Sequence, residues 1–189
     1  LLVLMELHSV KPVICITKRD LVTDAKFCEI EPILNYYKQL GYTVIFNTEL
    51  DKIKELLKNK TSVFTGQTGA GKSTLLNKLK PDWNLETGEV SVALGRGRHT
   101  TRVVTLYELF EGKVMDTPGF SALDFQGYSK EQIRDAFIEF SHYPCPFKDC
   151  LHTKEAECEV KKAVISNNIM KSRYLNYLSF IQEGDCYED

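Results

Sequence analysis

Gly66-Gln67-Thr68-Gly69-Ala70-Gly71-Lys72-Ser73 decides how this 189-residue chain folds. The octapeptide satisfies G-x-x-x-x-G-K-[ST]. It sits between a short run at residues 62–65 that reads as a strand and a stretch in which Leu75, Leu76 and Leu79 recur at helical spacing. A strand feeding a glycine-rich loop that opens a helix is a polyphosphate cradle. The glycines let backbone N–H groups wrap phosphates without Cβ clashes, and the helix N-terminus adds a favourable dipole. In this reading Lys72 bridges the terminal phosphates, Ser73 ligates magnesium, and Thr74 completes the expected nucleotide-binding set of the loop.

Working outward, the pattern is alternating strands and helices. Residues 13–16 read as a buried strand. Ile30, Ile33, Leu34 and Tyr37 recur as a helix that Gly41 ends, and residues 42–46 form the next strand. Ile53, Leu56 and Leu57 mark a short helix. Residues 103–110, a turn at Glu111 and Gly112, and Val114 with Met115 read as a hairpin. The fold class expected is therefore α/β, a mostly parallel sheet flanked by helices with ligands at the carboxyl ends of its strands. Ser129 with Gln132 makes a capping box for a helix carrying Ile133, Ala136, Phe137 and Phe140. A boundary near Gly127 would divide a nucleotide-binding domain, residues 1–127, from a small C-terminal helical domain, residues 128–189. The apolar element at residues 1–7 runs straight into a second apolar strand and has neither a basic leader nor a cleavage site, so it is not read as a signal peptide. A start at Leu1, already inside that element, points to a longer protein.

Three further segments complete a nucleotide site. Thr17-Lys18-Arg19-Asp20 follows a strand and fits [NT]-K-x-D, in which a buried carboxylate at Asp20 accepts from guanine's ring N–H and exocyclic amine. Adenine presents the opposite polarity there. A lone Lys-Arg-Asp turn is ordinary solvated surface, and its pairing with the phosphate loop gives it meaning. Asp116-Thr117-Pro118-Gly119 fits D-x-x-G, with Asp116 aimed toward the metal and the Gly119 N–H toward the γ-phosphate. Gly95-Arg96-Gly97-Arg98-His99-Thr100-Thr101-Arg102 reads as a loop ordered by γ-phosphate and magnesium, with Thr101 the preferred ligand and Thr100 next. Phe120 stands where many GTPases carry a water-positioning glutamine, so unaided turnover should be slow, and His99 is the candidate within the chain for orienting water.

The formal charge of −2 leaves no global nucleic-acid footprint, so any RNA contact must be local. Candidates are Arg96, Arg98, Arg102, Lys161, Lys162, Lys171 and Arg173, although scattered basic residues are usually a solvated surface. No apolar run approaches the length of a membrane span, and a soluble protein is expected. Six cysteines are too few for a secreted disulfide scaffold of this size. Cys145-x4-Cys150-x-His152-x5-Cys158 offers four zinc-competent donors in one short loop. Four protein ligands leave no open position, which makes the expected zinc structural.

The usual GTPase order begins with the phosphate loop and ends with the base box, whereas here Asp20 precedes Gly66. Circular permutation can preserve every strand while moving the chain ends. In this order the segment after Gly119 runs directly into the cysteine module as a lever. The chain resembles the ribosome small subunit-dependent GTPase A family (RsgA, YjeQ or EngC), whose motif order it matches from Thr17 through Cys158. The resemblance implies GTP hydrolysis to GDP and phosphate, late maturation of the small (30S) ribosomal subunit and its rRNA as partner, a cytoplasmic location, and a catalytic role for His99. It also implies an N-terminal OB-fold outside these 189 residues. A monomer without membrane association is expected. Thr17 replaces the more frequent asparagine, and Asn47-Thr48-Glu49 stands where a Ser-Ala base-contacting loop is usual, with Thr48 as the substitute. Two other readings stay open: a permuted GTPase with a non-ribosomal partner, and a zinc-stabilised RNA-binding module with a vestigial nucleotide site.

Overall fold

The computed structural model describes residues 1–67, 69–83, 105–116 and 125–183. In chain order its elements are α1 (Leu2–Leu7), β1 (Val13–Ile16), α2 (Asp24–Gln39), β2 (Thr43–Phe46), α3 (Leu50–Leu57) and β3 (Thr61–Phe64). They continue with α4 (Lys72–Leu79), β4 (Thr105–Leu109), β5 (Gly112–Asp116), α5 (Lys130–Asp135), α6 (Glu159–Ile165) and α7 (Lys171–Glu183). Two compact units result. One takes Val13–Glu31 and Val44–Ala122; the other takes Leu1–Pro12, Pro32–Thr43 and Leu123–Asp189. The expected boundary near Gly127 is a single cut in sequence, whereas these units are interleaved.

In the first unit β3 and β5 run parallel, in register from Thr61 opposite Lys113 to Phe64 opposite Asp116. β4 pairs antiparallel with β5, and β1 with β2 forms a separate two-stranded sheet. Ile45, Ile53, Leu57, Leu75, Leu76, Leu79, Leu109 and Val114 make one apolar core. The helical spacing of Leu75, Leu76 and Leu79 is thus a buried stripe on α4, each leucine contributing about 1.5–3 kcal/mol by leaving water.

The hairpin turn falls one residue earlier than expected. Phe110 and Glu111 both lie in the left-handed region, at φ +52 and +59, as a two-residue turn of the I′ kind requires. Gly112 is already in β5. A β-carbon there would lie 2.4 Å from the Lys60 carbonyl and 2.6 Å from that of Leu57, so this glycine serves a close backbone approach rather than a turn.

The second unit holds two departures. The apolar stretch at residues 1–7 is a helix, not a strand: leucine, methionine and glutamate favour helix, and α1 buries Val3 in the core with Phe125, Ile133 and Tyr177. The expected helix through Phe140 stops at Asp135 and resumes as a 3-10 turn over Ile138–His142. That break lets Phe137 and Phe140 stack at 5.2 Å and face the ring of Tyr177 edge-on. The capping box forms as read, with the Gln132 N–H donating to Ser129 Oγ at 3.2 Å and the Ser129 N–H to Gln132 Oε1 at 2.8 Å. Glu139 and Arg173 are buried as a bidentate ion pair, with Arg173 Nη2 donating to Glu139 Oε2 at 2.8 Å.

Candidate functional site

The phosphate loop leaves β3 and enters α4 through Gly71, whose φ of +91 caps the helix in a conformation that a β-carbon would strain. The Ala70 N–H donates to the Gln67 carbonyl at 3.1 Å and tightens the loop. Lys72 folds back over it, its Nζ donating to the carbonyls of Gly66 at 2.7 Å and Gln67 at 3.1 Å. Those two carbonyls hold the ammonium over the loop, where an arriving phosphate would compete for it with full charge. Ser73 is half-buried beside it, and Thr74 is exposed.

The base box starts where β1 ends. Thr17 Oγ1 donates to the Ala70 carbonyl at 2.8 Å, which brings this segment against the phosphate loop. Lys18 takes a left-handed conformation, φ +55, and turns the chain into a 3-10 turn over Arg19–Leu21. Arg19, expected among the nucleotide contacts, instead staples its own turn: it donates to the Val22 carbonyl at 2.7 Å, pairs with Asp24 and lies 4.2 Å over the Phe27 ring. Asp20 was expected to be buried; it is exposed, because the turn projects it from the end of β1. Thr48 is exposed too, in a turn that Glu49 closes by accepting from the Phe46 N–H at 2.8 Å while its own N–H donates to the Phe46 carbonyl at 3.0 Å. The Asn47 N–H donates to the Ile16 carbonyl at 2.9 Å, which sets this turn beside the end of β1.

Asp116 enters through its backbone alone, at the last position of β5 opposite Phe64, one strand from the phosphate loop. Its side chain, together with Thr68, His99, Thr100, Thr101, Gly119 and Phe120, lies outside the described residues.

The cysteine segment forms a second centre. Cys145, Cys150, His152 and Cys158 place their donor atoms within 4.8 Å of one another. His152 Nδ1 lies 3.5 Å from Cys145 Sγ and 3.3 Å from the sulfurs of both Cys150 and Cys158, and the Cys145 and Cys158 sulfurs are 3.7 Å apart. A tetrahedron with arms of about 2.3 Å to sulfur and about 2.0 Å to nitrogen has edges of about 3.5–3.8 Å; these four donor pairs lie close to those lengths, and the cluster could hold a metal ion. Burial lowers the His152 imidazole below its usual value and pushes the Cys150 thiol up to about 12. A divalent cation reverses that preference for the thiol.

Residues that sequence reading missed hold this loop. The Glu155 carboxylate accepts from the N–H groups of Leu151 at 2.9 Å and Thr153 at 2.7 Å. The Tyr174 and Tyr177 hydroxyls donate, each at 2.6 Å, to the consecutive carbonyls of His152 and Leu151. Their spacing of three on one helix was the available signal. Lys161 donates to the Thr153 and Glu155 carbonyls, and Arg173 is buried against Glu139, so neither belongs to an RNA-facing set. Lys162 pairs with Glu159, Lys171 is exposed, and Arg96, Arg98 and Arg102 lie outside the described residues.

A phosphate loop and a base box joined through Thr17 and Ala70, in permuted order, define a circularly permuted nucleotide-binding α/β protein with a Cys3His cluster. The RsgA GTPase family model matches residues 1–126, and the chain belongs to that family. It is 46% identical over 185 residues to the small ribosomal subunit biogenesis GTPase RsgA of Streptococcus agalactiae serotype V, covering 96% of this chain and 62% of that protein. The protein of the same name from Enterococcus faecalis is 45% identical over 189 residues, covering 96% of this chain and 63% of its own length. Among solved structures, YjeQ from Thermotoga maritima superposes with a TM-score of 0.78 at 33% identity, covering 96% of this chain and 63% of that one. YloQ, described as a circularly permuted GTPase, gives 0.77 at 35% identity, covering 100% and 62%. The chain therefore spans a little over three fifths of the length of the relatives it matches.

Proposed function

We propose that the protein binds GTP and hydrolyses it to GDP and phosphate during maturation of the small ribosomal subunit, in the cytoplasm and as a monomer. The observation that carries this is the contact between Thr17 and Ala70, which joins base box and phosphate loop across 53 residues of sequence in the permuted order. Asp20, exposed in the 3-10 turn that follows β1, accepts from guanine's N–H groups, and Thr48 lies in the turn that Asn47 ties to the end of β1. The amides of residues 66–73 cradle the phosphates, and Lys72 exchanges two carbonyls for the terminal phosphate oxygens. Ser73 and Thr101 would hold magnesium, which would supply neutralisation of the charge on the nucleotide's phosphates. Asp116 supports that site, and the Gly119 N–H meets the γ-phosphate. His99 orients the attacking water, because Phe120 offers no polar group for it. Zinc at Cys145, Cys150, His152 and Cys158 is structural, since all four positions are taken by protein. The names of the relatives support the choice of partner.

The test is GTP hydrolysis with and without purified small ribosomal subunits, with ATP and Lys72→Ala as controls. Stimulation by subunits for GTP alone, lost in Lys72→Ala, is expected. Intact GTP binding without stimulation would assign the chain to a permuted GTPase whose activator is not the ribosome.

A further inference from the structure

Asp20 and Leu21 form a short loop that Arg19 and Val22 close from both sides. The Val22 N–H donates to the Arg19 carbonyl at 3.2 Å, and the Val22 carbonyl accepts from Arg19 Nη1 at 2.7 Å. The other arm of the guanidinium pairs with Asp24, the first residue of α2, and its carbon stands 4.2 Å from the centre of the Phe27 ring on the same helix. A planar fork can meet a carbonyl, a carboxylate and an aromatic face at once, which an ammonium cannot. Asp20 and Leu21 are themselves exposed, so the direction of the Asp20 carboxylate is set by the clamp on its backbone rather than by burial.

Phe27 carries the clamp across to the other turn of the site. Its ring packs on Phe46 with centroids 6.1 Å apart and planes at 47°. Phe46 ends β2, and both of its backbone groups are bonded to Glu49: the Phe46 N–H donates to Glu49 Oε2 at 2.8 Å, and the Phe46 carbonyl accepts from the Glu49 N–H at 3.0 Å. Thr48 lies inside that closure. The exposed turn with Asp20 and the exposed turn with Thr48 therefore rest on one aromatic pair.

We propose that Arg19 is a positioning residue: it aims the Asp20 carboxylate at the exocyclic amine of guanine through the Phe27–Phe46 pair that also supports the Thr48 turn, and it makes no contact with the nucleotide. This rests on the reading of residues 17–20 as a guanine-binding box. A hydrogen bond weakens steeply once its angle falls far from linear, so the carboxylate reads the amine from one direction only. Freed from Val22 and from the ring, the loop keeps its charge but samples many directions, and the loss falls on the contact that demands aim.

The experiment is equilibrium binding of GDP, of IDP, whose base lacks the exocyclic amine, and of ADP. It is run on the wild-type protein, Arg19→Ala, Phe27→Leu and the double variant, each checked for its thermal unfolding midpoint. A charge-assisted hydrogen bond to Asp20 should give the wild type a preference for GDP over IDP of about tenfold or more. Arg19→Ala should cut that preference to about threefold or less by weakening GDP more than IDP. Phe27→Leu should do the same, and the double variant should lose no more than either single one, since both act through one clamp. A side chain that merely supported the fold, or that touched the phosphates, would weaken GDP and IDP by one factor and leave their ratio as in wild type; that result would overturn the proposal. So would effects on the ratio that multiply in the double variant. A wild type without a preference for GDP over IDP or ADP would instead remove the guanine reading beneath the proposal, an outcome that involves no variant. Should Arg19→Ala or Phe27→Leu fail to fold, Arg19→Lys, which keeps the charge but not the fork, takes its place with the same expected fall in preference.

Discussion

The phosphate loop and the cysteine loop, each proposed to hold a charged ligand, are built in opposite ways. Around residues 66–73 the groups that would meet a nucleotide are turned inward or left open: Lys72 bonds its own loop, while Asp20 and Thr48 are exposed. Around residues 145–158 the donors already face one another at ligand spacing, and the loop is tied by Glu155, Lys161, Tyr174 and Tyr177. His152 even holds a left-handed backbone, φ +56, a conformation that residues other than glycine rarely keep without a constraint. A site whose ligand must come and go relies on backbone amides and one movable cation. A site whose ligand stays is built into the core, with Cys158 fully buried.

The largest expected effect breaks the comparison at the cysteine loop. Cys158→Ser, or metal removal by a strong chelator, should cost about 4 kcal/mol or more of stability and release the bound ion, because metal affinity there is folding free energy. Metal content together with thermal unfolding checks this, and a chelated protein with an unchanged midpoint would show that the loop stands without an ion. Next, GDP with magnesium at a hundredfold excess over its Kd should stabilise the protein by about 2.7 kcal/mol, the mass-action value for a ligand that binds only the folded state. Lys72→Ala should lose most of that gain while its own unfolding without nucleotide stays within about 0.5 kcal/mol of wild type, as for a side chain that supports a ligand rather than a core. Smallest is Tyr177→Phe, which keeps the buried ring and removes the hydroxyl bonded to Leu151. A loss of about 1 kcal/mol in chemical denaturation is expected, with GDP affinity unchanged.

Much of this was legible in the sequence because it is written at short range. The strand–loop–helix around Lys72, the stripe of Leu75, Leu76 and Leu79, and the box of Ser129 with Gln132 each need only a handful of consecutive residues to be recognised. What was missed depends on partners far along the chain. The glycine at 112 looks like a turn residue until the carbonyls of Leu57 and Lys60 are brought against it. The true turn at Phe110 and Glu111 lacks the Asn-Gly signature that local reading relies on. Arg173 reads as a surface cation because nothing within a helical turn announces Glu139, which is 34 residues away. Arg19 and Asp20 are adjacent and similarly polar, and only the fold separates the one that staples the turn from the one that faces out.

The interleaving of the two units carries a consequence for synthesis. Val3 is buried in a core whose other members include Ile133, Tyr177 and Ile181. The ribosome therefore makes α1 among the first residues of this stretch and its partners among the last. At roughly 5–20 residues per second, Val3 waits on the order of ten to thirty seconds for Tyr177 to emerge. Throughout that interval the whole of the other unit is produced between them, so α1 is made well before the partners that bury it.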